Sequence, residues 1–251
     1  MAEIENNRTK DIFGKEKKEN VILYYLLFIF IIISLFSFIL LANYKNTLYN
    51  FPFYKYEYEK NGVYARFDKA VVDNATIDLF LYLNNNQQNI TSQFFSDRDK
   101  LHLVDVKHLI RFSKIVYTII LILFISSLIA LFYFYRHKFK KSFAKILIFA
   151  SLLYIFLFIT IAANQTNETF QKKFIGIHYI LFDNDYWILS PEKDNLINLF
   201  PEQFWYDIVQ KILKDTLLYA VFLLIIGINI FVYLYLKNKF FMAKSSVHQS
   251  R

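Results

Sequence analysis

Residues 21–42 read VILYYLLFIFIIISLFSFILLA, an uninterrupted apolar run that decides the fold of this 251-residue chain. Similar runs follow at 115–135, 146–163 and 217–236, and none of the four contains Asp, Glu, Lys, Arg or His. Even the shortest, with 18 residues, spans about 27 Å as a helix, close to the roughly 30 Å of a bilayer's hydrocarbon core. The sequence therefore predicts a mainly α-helical membrane protein with four transmembrane helices, TM1 to TM4.

Basic residues are unevenly distributed over the segments between these spans. The short segments 1–20, 136–145 and 237–251 hold 14 Lys/Arg in 45 residues, whereas the long segments 43–114 and 164–216 hold 15 in 125. Because Lys and Arg concentrate on the cytoplasmic side, we expect a cytoplasmic N-terminus, basic turn and C-terminal tail. The two long segments would form a two-part extracytoplasmic cap. Topology and anionic lipid then explain the net charge of +8 without nucleic acid.

The composition excludes several kinds of chemistry. The chain has no Cys, which excludes a structural disulfide, a Cys-ligated metal site and a thiol nucleophile. Neither a Walker pattern nor a GxGxxG is present, and no serine lies in a GxSxG motif, so a nucleotide site and a Ser/His/Asp hydrolase are both poorly supported. A transporter or channel would need ionisable residues inside its spans, and these spans have none.

The first cap segment opens with alternating aromatic and charged residues. Tyr54, Tyr56 and Tyr58 recur at every second position, which is typical of a half-buried strand. Asn61 and Gly62 follow and readily adopt the positive φ angles of a tight turn. The pattern predicts a small β-hairpin in the cap.

Amphipathic helices account for much of the remaining cap. A helical pattern begins at Asp97 and leads towards TM2, and another follows Pro201 and leads into TM4. A straight helix into TM2 would hold His102 about 20 Å above the membrane boundary. We therefore expect this helix to bend or to follow the bilayer surface near Phe112 or Ser113.

The five histidines fall into two groups. His102 and His178 lie in different cap segments, each beside aromatic residues and acids, and an imidazole titrates in the range needed for proton transfer near neutrality. A purely structural role for both remains the alternative. His137 and His248, in the basic turn and the tail, are predicted to be surface residues. His108 lies some 120° around the helix from His102 and is predicted to act at most indirectly.

Acidic residues near these histidines suggest two different uses. Asp105 follows His102 by three residues, so on a helix its carboxylate can reach the imidazole and orient it. Asp183 or Asp185 could instead join both histidines in binding a metal, but the spacing matches no metal motif. We expect no metal and no cofactor.

Two stretches of the cap resemble the lipoprotein intramolecular transacylase (Lit) family of bacterial membrane proteins. Residues 94–107 read FFSDRDKLHLVDVK, similar to the family's FF, acidic stretch and H-M-x-D-V-K, with Leu103 in place of Met. The second cap segment is similar to the family's other signature, and the resemblance covers most of residues 20–240. The matching positions in that segment are His178, Phe182, Asn184, Asp185, Trp187, Pro191, Asp194, Leu196, Ile197, Pro201 and Phe204.

The resemblance implies a site and a reaction. Family members have two catalytic histidines where an extracellular cap meets the membrane, which would be His102 and His178. They move the sn-2 acyl chain of a diacylglyceryl lipoprotein onto the α-amino group of its own N-terminal cysteine, giving the lyso form. The expected partners are this lipoprotein and membrane lipid, in the bacterial cytoplasmic membrane; the oligomeric state is not indicated. Supporting residues would be Asp105, Asn184 and Asp185, and pocket walls would be Tyr186, Trp187, Phe204 and Trp205.

Such a reaction needs no nucleophile from the enzyme, because amine and ester belong to one molecule. One histidine would accept a proton from the attacking amine, while the other would stabilise the oxyanion and return a proton to the glyceryl oxygen. The sequence does not say which histidine takes which part. Two other functions stay open, namely a non-catalytic lipoprotein-binding or assembly protein and a membrane lipase.

Overall fold

The computed structural model describes residues 21–163 and 167–249, and the side chains of 21–163 and 169–240. The predicted N-terminal segment 1–20 and the side chain of His248 lie outside this part. Within the described residues the chain is almost wholly helical, and none of them belongs to a β-strand. The helices are α1 (Val21–Leu48), α2 (Phe51–Lys60), α3 (Val63–Arg66), α4 (Lys69–Leu83), α5 (Asp97–Phe134), α6 (Arg136–Ala163), α7 (Asn167–Leu181), α8 (Asn195–Leu199) and α9 (Glu202–Gln249).

Four helices, α1, α5, α6 and α9, are long and apolar enough to cross a membrane, which confirms the four predicted spans. They form a bundle in which α9 packs most closely on α6, and α1 contacts α5, α6 and α9. Most of their large apolar side chains face outwards; Ile129 and Phe222, for example, are 63% and 60% exposed. An apolar surface of this extent is stable against lipid and not against water.

Helices α6 and α9 approach each other closely at Gly227. A Cβ built on Gly227 of α9 would lie 2.9 Å from Ile148 Cγ1 and 3.0 Å from the carbonyl oxygen of Ala144, both on α6. Small residues let membrane helices approach to backbone contact in this way. Towards the cap, the hydroxyl of Tyr154 on α6 donates a hydrogen bond of 2.9 Å to the carbonyl of Leu213 on α9.

The basic segment 136–145 is helical, so the prediction of a turn over its whole length is wrong. Helix α6 begins at Arg136, directly after Tyr135, the only residue that separates it from α5. Phe139 and Phe143 stack one turn apart, with ring centroids 5.8 Å from each other, and both pack on the adjacent end of the bundle. Their burial favours the helix, which leaves the charged residues on its outer side.

The predicted β-hairpin is also wrong, because residues 51–60 form the helix α2. The side chain of Asn50 accepts a hydrogen bond of 3.2 Å from the backbone N–H of Phe53 and so caps the first turn. Tyr54 and Tyr58 recur every four residues as well as every two, and both are buried in the cap core. Gly62 has the expected positive φ, +71°, but joins α2 to α3.

The predicted helix from Asp97 is confirmed, and it is continuous from the cap into the bundle as α5. A reciprocal capping box begins it, in which the side chains of Ser96 and Asp99 each accept a hydrogen bond from the other's backbone N–H. The predicted helix after Pro201 is likewise the first part of α9. The cap has its own apolar core, whose larger members are Tyr54, Tyr58, Leu79, Phe94, Phe95, Leu103, Leu199, Phe200 and Phe204.

Candidate active site

A fully buried carboxylate, Asp99, joins the two cap segments. Its Oδ2 accepts hydrogen bonds from the backbone N–H groups of Ser96 at 2.9 Å, Asn195 at 3.0 Å and Leu196 at 3.2 Å. The side chain of Asn195 donates in return to the carbonyl of Phe94, at 2.7 Å. Buried N–H groups need acceptors, and Asp99 Oδ2 supplies one to Asn195 and Leu196 across nearly 100 positions of sequence. The other oxygen, Oδ1, is buried without a hydrogen-bond partner.

A second set of hydrogen bonds reinforces this junction. The hydroxyl of Ser96 donates to Asp194 Oδ1 at 2.7 Å, and Asp194 Oδ2 accepts from the backbone N–H of Ser190 at 2.8 Å. The stretch 190–196 is thereby held against the beginning of α5. His102 lies one turn further along α5, so the network fixes the imidazole relative to the second cap segment.

The structure brings His102 and His178 together, with ring centroids 6.3 Å apart. His102 is only 7% exposed, and its Nδ1 is buried without a hydrogen-bond partner. Burial, and then the charge that His178 can carry, lower the pKa of His102 to about 4, against an opposing effect of Asp105. The imidazole of His102 is therefore neutral at physiological pH.

His178, in the last turn of α7, has a defined tautomer. Its Nδ1 lies 2.7 Å from the carbonyl oxygen of Phe174. A carbonyl can only accept, so Nδ1 carries the proton and, in the neutral ring, Nε2 has the lone pair. Phe174, Phe182 and Trp187 surround the imidazole, with ring centroids 4.4, 5.6 and 5.1 Å away.

A largely apolar cavity of about 350 Å³ lies beside both imidazoles. One row of its lining residues, from His102 through Val106 to Ile110, runs down α5. Eight residues of helix correspond to about 12 Å, and Leu48, at the end of α1, also lines the cavity. The cavity therefore connects the histidines with the level of the membrane boundary. Helix α5 itself continues through Phe112, so it has no break at the position where a bend was expected.

The other predicted site residues are only partly gathered there. Trp187 and Trp205 line the cavity. Phe204 is fully buried in the cap core instead, and Tyr186 is exposed and outside the cavity lining. Neither of these two forms the wall that the sequence analysis expected of it.

The predicted supporting residues contact one another and their neighbours. The side-chain amide of Asn184 donates to Asp105 Oδ2 at 2.9 Å. His102 Nδ1 has no hydrogen-bond partner, so Asp105 acts on this imidazole through its charge. The backbone carbonyl of Asp185 accepts from the guanidinium of Arg98. These contacts connect the loop after α7 to α5.

Phe174 and Phe182 were not among the predicted site residues, although both rings contact His178. Their spacing of four on either side of His178 is a helical signal that could have revealed them. Gln171 and Glu202, two polar residues of the cavity lining, were not predicted either. His108 and His137 are exposed and do not line the cavity.

Comparisons with known proteins agree with this architecture. The sequence model of the family described as lipoprotein intramolecular transacylase Lit matches residues 27–205. The solved structure of the membrane integral lipoprotein intramolecular transacylase Lit from Bacillus cereus is similar, with a TM-score of 0.67 and 24% identity over 87% of this chain and 98% of that chain. At this identity the similarity shows a shared fold.

Two variants of the Bacillus cereus protein are similar as well. In one a histidine is replaced by arginine, and in the other a histidine is replaced by alanine. Both have a TM-score of 0.67 and 23% identity over 87% of this chain, and cover 94% and 96% of their own chains respectively. Among curated protein sequences, none matches the chain.

Proposed function

The chain belongs to the lipoprotein intramolecular transacylase (Lit) family, an acyltransferase family of the membrane, and from this we propose the reaction and the roles of its residues. The protein moves the sn-2 acyl chain of a diacylglyceryl lipoprotein onto the α-amino group of the lipoprotein's own N-terminal cysteine. The observation that carries this proposal is the meeting of His102 and His178, from separate cap segments, beside an apolar cavity.

The cavity suits a lipid whose reacting ester must leave the bilayer. Its lower end, at Leu48 and Ile110, lies near the ends of two spans, and its upper end reaches both imidazoles. The sn-2 chain occupies the apolar part between them, which keeps the chain out of water while its ester is at the histidines. The peptide then leaves the site on the side away from the membrane.

His178 is the general base in this scheme. The α-amine has a pKa of about 8, so a fraction of it is unprotonated at neutral pH and has the lone pair that attacks the ester carbon. As the C–N bond forms, the nitrogen becomes positively charged and a base must accept one of its protons. The hydrogen bond from Nδ1 to Phe174 leaves the Nε2 lone pair of His178 for this purpose. The same hydrogen bond orients the ring and stabilises the imidazolium that forms.

His102 is the hydrogen-bond donor to the developing oxyanion. A histidine with a lowered pKa stays neutral and donates N–H without transferring its proton prematurely, and burial gives His102 this property. The tetrahedral stage closes a ring of eight atoms: amine N, Cα, Cβ, S, glyceryl C3, glyceryl C2, ester O and acyl carbon. As it collapses, the C–O bond breaks, the amide C–N bond remains, and His178 returns the proton to the glyceryl oxygen.

Positioning supplies most of the rate in this proposal. Holding two groups of one molecule in a reactive pose is worth up to about 7 to 11 kcal/mol in well-oriented cases. Trp187, Trp205 and Phe174 surround the reacting end of the cavity, where they exclude the water that would hydrolyse the ester.

We propose that the cap lies outside the cytoplasm and both termini inside. The support is the concentration of basic residues at the other end of the bundle, including those at the beginning of α6. Cysteines introduced at Asn89 and Asn167 should react with an impermeant thiol reagent in intact cells, whereas one at Lys140, an exposed residue of the basic segment, should not. The opposite labelling would reject this orientation.

An isotope experiment tests the reaction itself. A lipoprotein with a heavy-isotope sn-2 chain and a mass-tagged peptide is mixed with an unlabelled one and with the purified enzyme. Label and tag should remain paired in the lyso-form product, because transfer occurs within one molecule. Exchange of label between peptides would show intermolecular transfer, and free labelled fatty acid as the main product would show a lipase.

A further inference from the structure

A second site lies outside the catalytic cavity, in a cleft between the end of α1 and α5. Two lysines and three tyrosines contribute to it: Lys45, Lys114, Tyr44, Tyr49 and Tyr117. The proposed mechanism uses none of these residues. Two cations and several phenolic groups in one cleft form an arrangement suited to an anion.

The positive charge of this cleft is not balanced by an acid. Lys45 lies over the ring of Tyr117, with Nζ 5.2 Å from its centroid, and Lys114 lies over Tyr49 at 5.3 Å. Lys114 also donates to the side-chain oxygen of Asn84 at 2.9 Å, which leaves two of its three donors. Neither lysine takes part in the ion pairs that Lys55, Lys60, Arg98 and Lys211 form elsewhere in the described part of the chain.

The two ammonium groups are close enough to affect each other. Burial, and then the charge of Lys45, lower the pKa of Lys114. Like charges held together without an acid are unfavourable, and an anion between them would remove this cost.

Tyr49 adds a donor that has no partner within the protein. Its hydroxyl oxygen is buried and makes no hydrogen bond in the structure. A buried polar group in this state destabilises the protein, and Tyr49 lines the same cleft as both lysines. An anionic oxygen bound in the cleft would satisfy this hydroxyl.

The depth of the cleft indicates the source of the anion. Lys45 lies three residues beyond the apolar run that ends at residue 42, and Lys114 directly precedes the run that begins at residue 115. Both ammonium groups therefore lie just outside the hydrocarbon core, in the layer that lipid headgroups occupy. The positions follow from the two spans alone and do not depend on which side of the membrane the cap is.

We propose that this cleft binds the phosphate of a membrane phospholipid, with Lys45, Lys114 and the Tyr49 hydroxyl as its donors. Leu48 and Ile110 line both this cleft and the catalytic cavity. A lipid bound here therefore borders the membrane end of that cavity, where its acyl chains lie along α1 and α5. The site belongs to the protein whether or not the proposed reaction is correct.

Native mass spectrometry of the detergent-solubilised full chain tests this site directly. Phosphatidylglycerol is titrated into the wild type, the K45Q/K114Q variant and the matched control K69Q/K193Q, which loses the same charge from exposed cap positions. Binding to one site should weaken at least tenfold in K45Q/K114Q and remain at the wild-type level in the control. Equal binding by all three proteins would overturn the proposal.

A further variant and two further ligands identify the chemical groups that take part in binding. Tyr49→Phe keeps the ring and removes only the unpartnered hydroxyl, and should weaken binding by about tenfold, the effect of one hydrogen bond to a charged group. Diacylglycerol, which lacks the phosphate, should not occupy the site. Displacement of phosphatidylglycerol by millimolar inorganic phosphate would show a free-phosphate site and reject the headgroup assignment, as would equal binding of diacylglycerol.

Discussion

The bundle and the cap differ in the kinds of residue that they bury. In the bundle the buried polar residues are small, such as Ser142 and Ser151, and large apolar side chains face outwards. In the cap the fully buried residues include the large rings of Tyr58 and Phe204 together with the carboxylate of Asp99. The bundle is thus specified largely by composition, whereas the cap depends on particular partners. Substitutions that affect chemistry should concentrate in the cap, and those that affect only helix packing should lie in the bundle.

The largest effect is expected at the two cap histidines. His178→Gln removes the proposed base and His102→Gln the proposed donor, and general acid–base catalysis contributes about 100- to 10,000-fold. Lyso-form lipoprotein, measured by mass spectrometry of N-terminal peptides, should fall at least 100-fold in both variants at unchanged membrane expression. The control His108→Gln should keep wild-type activity. Wild-type activity in either of the first two variants would exclude the two-histidine scheme.

The next effect concerns the junction between the cap segments. Asp99→Ala would leave the buried backbone N–H of Leu196 and the half-buried ones of Ser96 and Asn195 without their acceptor. Because hydrogen bonds to a charged group contribute about 1.5 to 3 kcal/mol each, the unfolding free energy should fall by about 3 to 5 kcal/mol in total. Activity should fall with it, because His102 and the stretch 190–196 lose their common attachment.

Asp97→Ala is the matched control for that variant, since Asp97 occupies the same helical turn but is exposed. It should cost less than about 1 kcal/mol, the usual value of an acid near a helix N-terminus. Thermal unfolding in detergent and the lipoprotein assay, applied to both variants, measure the difference. Similar losses from both substitutions would mean that the junction does not hold the cap together.

The burial of His102 should make the cap sensitive to acid in a defined range. Its pKa falls from an ordinary 6.5 to about 4 in the folded protein, so between these values the unfolded chain binds more protons than the folded one. Stability should therefore decrease as pH falls from 6.5 towards 4, by about 3 kcal/mol in total. His102→Gln should remove this part of the pH dependence, measured as unfolding temperature against pH. An unchanged pH profile in the variant would assign the acid sensitivity to other groups.

The bundle was predictable from sequence because composition alone determines it. The cap was less predictable, since the spacing of its tyrosines fits both a strand and a helix. Tyr54 and Tyr58 satisfy both a two-residue and a four-residue period, and the deciding contact, from the backbone of Phe53 to Asn50, is visible only in the structure. The helix α7 was not predicted, so the ring contacts of Phe174 with His178 were missed.

The two histidines of the candidate site were predicted from the sequence. The residues that hold these histidines in place were not. His102 and His178 were identified with the help of family resemblance. The role of Asp99 could not be predicted, because its partners are backbone N–H groups almost 100 residues away. A backbone donor is the same at every residue except proline, and it leaves no signal in the sequence.

The smallest effects on stability are expected at two helical glycines, one in the cap and one in the bundle. A Cβ at Gly227 would lie within 3.0 Å of Ile148 Cγ1, the Ala144 carbonyl oxygen and Leu147 Cβ, whereas one at Gly176 on α7 would meet nothing within 4 Å. Alanine favours a helix over glycine by about 0.8 to 1 kcal/mol, so Gly176→Ala should raise the unfolding free energy by up to about 1 kcal/mol. Gly227→Ala should lower it by about 1 to 3 kcal/mol, because α6 and α9 would have to separate.

Both variants should keep the lipoprotein activity, since neither residue lines the cavity. Thermal unfolding in detergent gives the sign of each change. At Gly227 two of the three nearby atoms are a backbone oxygen and a Cβ, which cannot move without the helix that carries them, so rotation of one flexible side chain cannot relieve the overlap. A gain of stability at Gly227 would therefore contradict the close approach of α6 and α9, while a loss at Gly176 would show that the cap covers the outer side of α7 more tightly than the structure indicates.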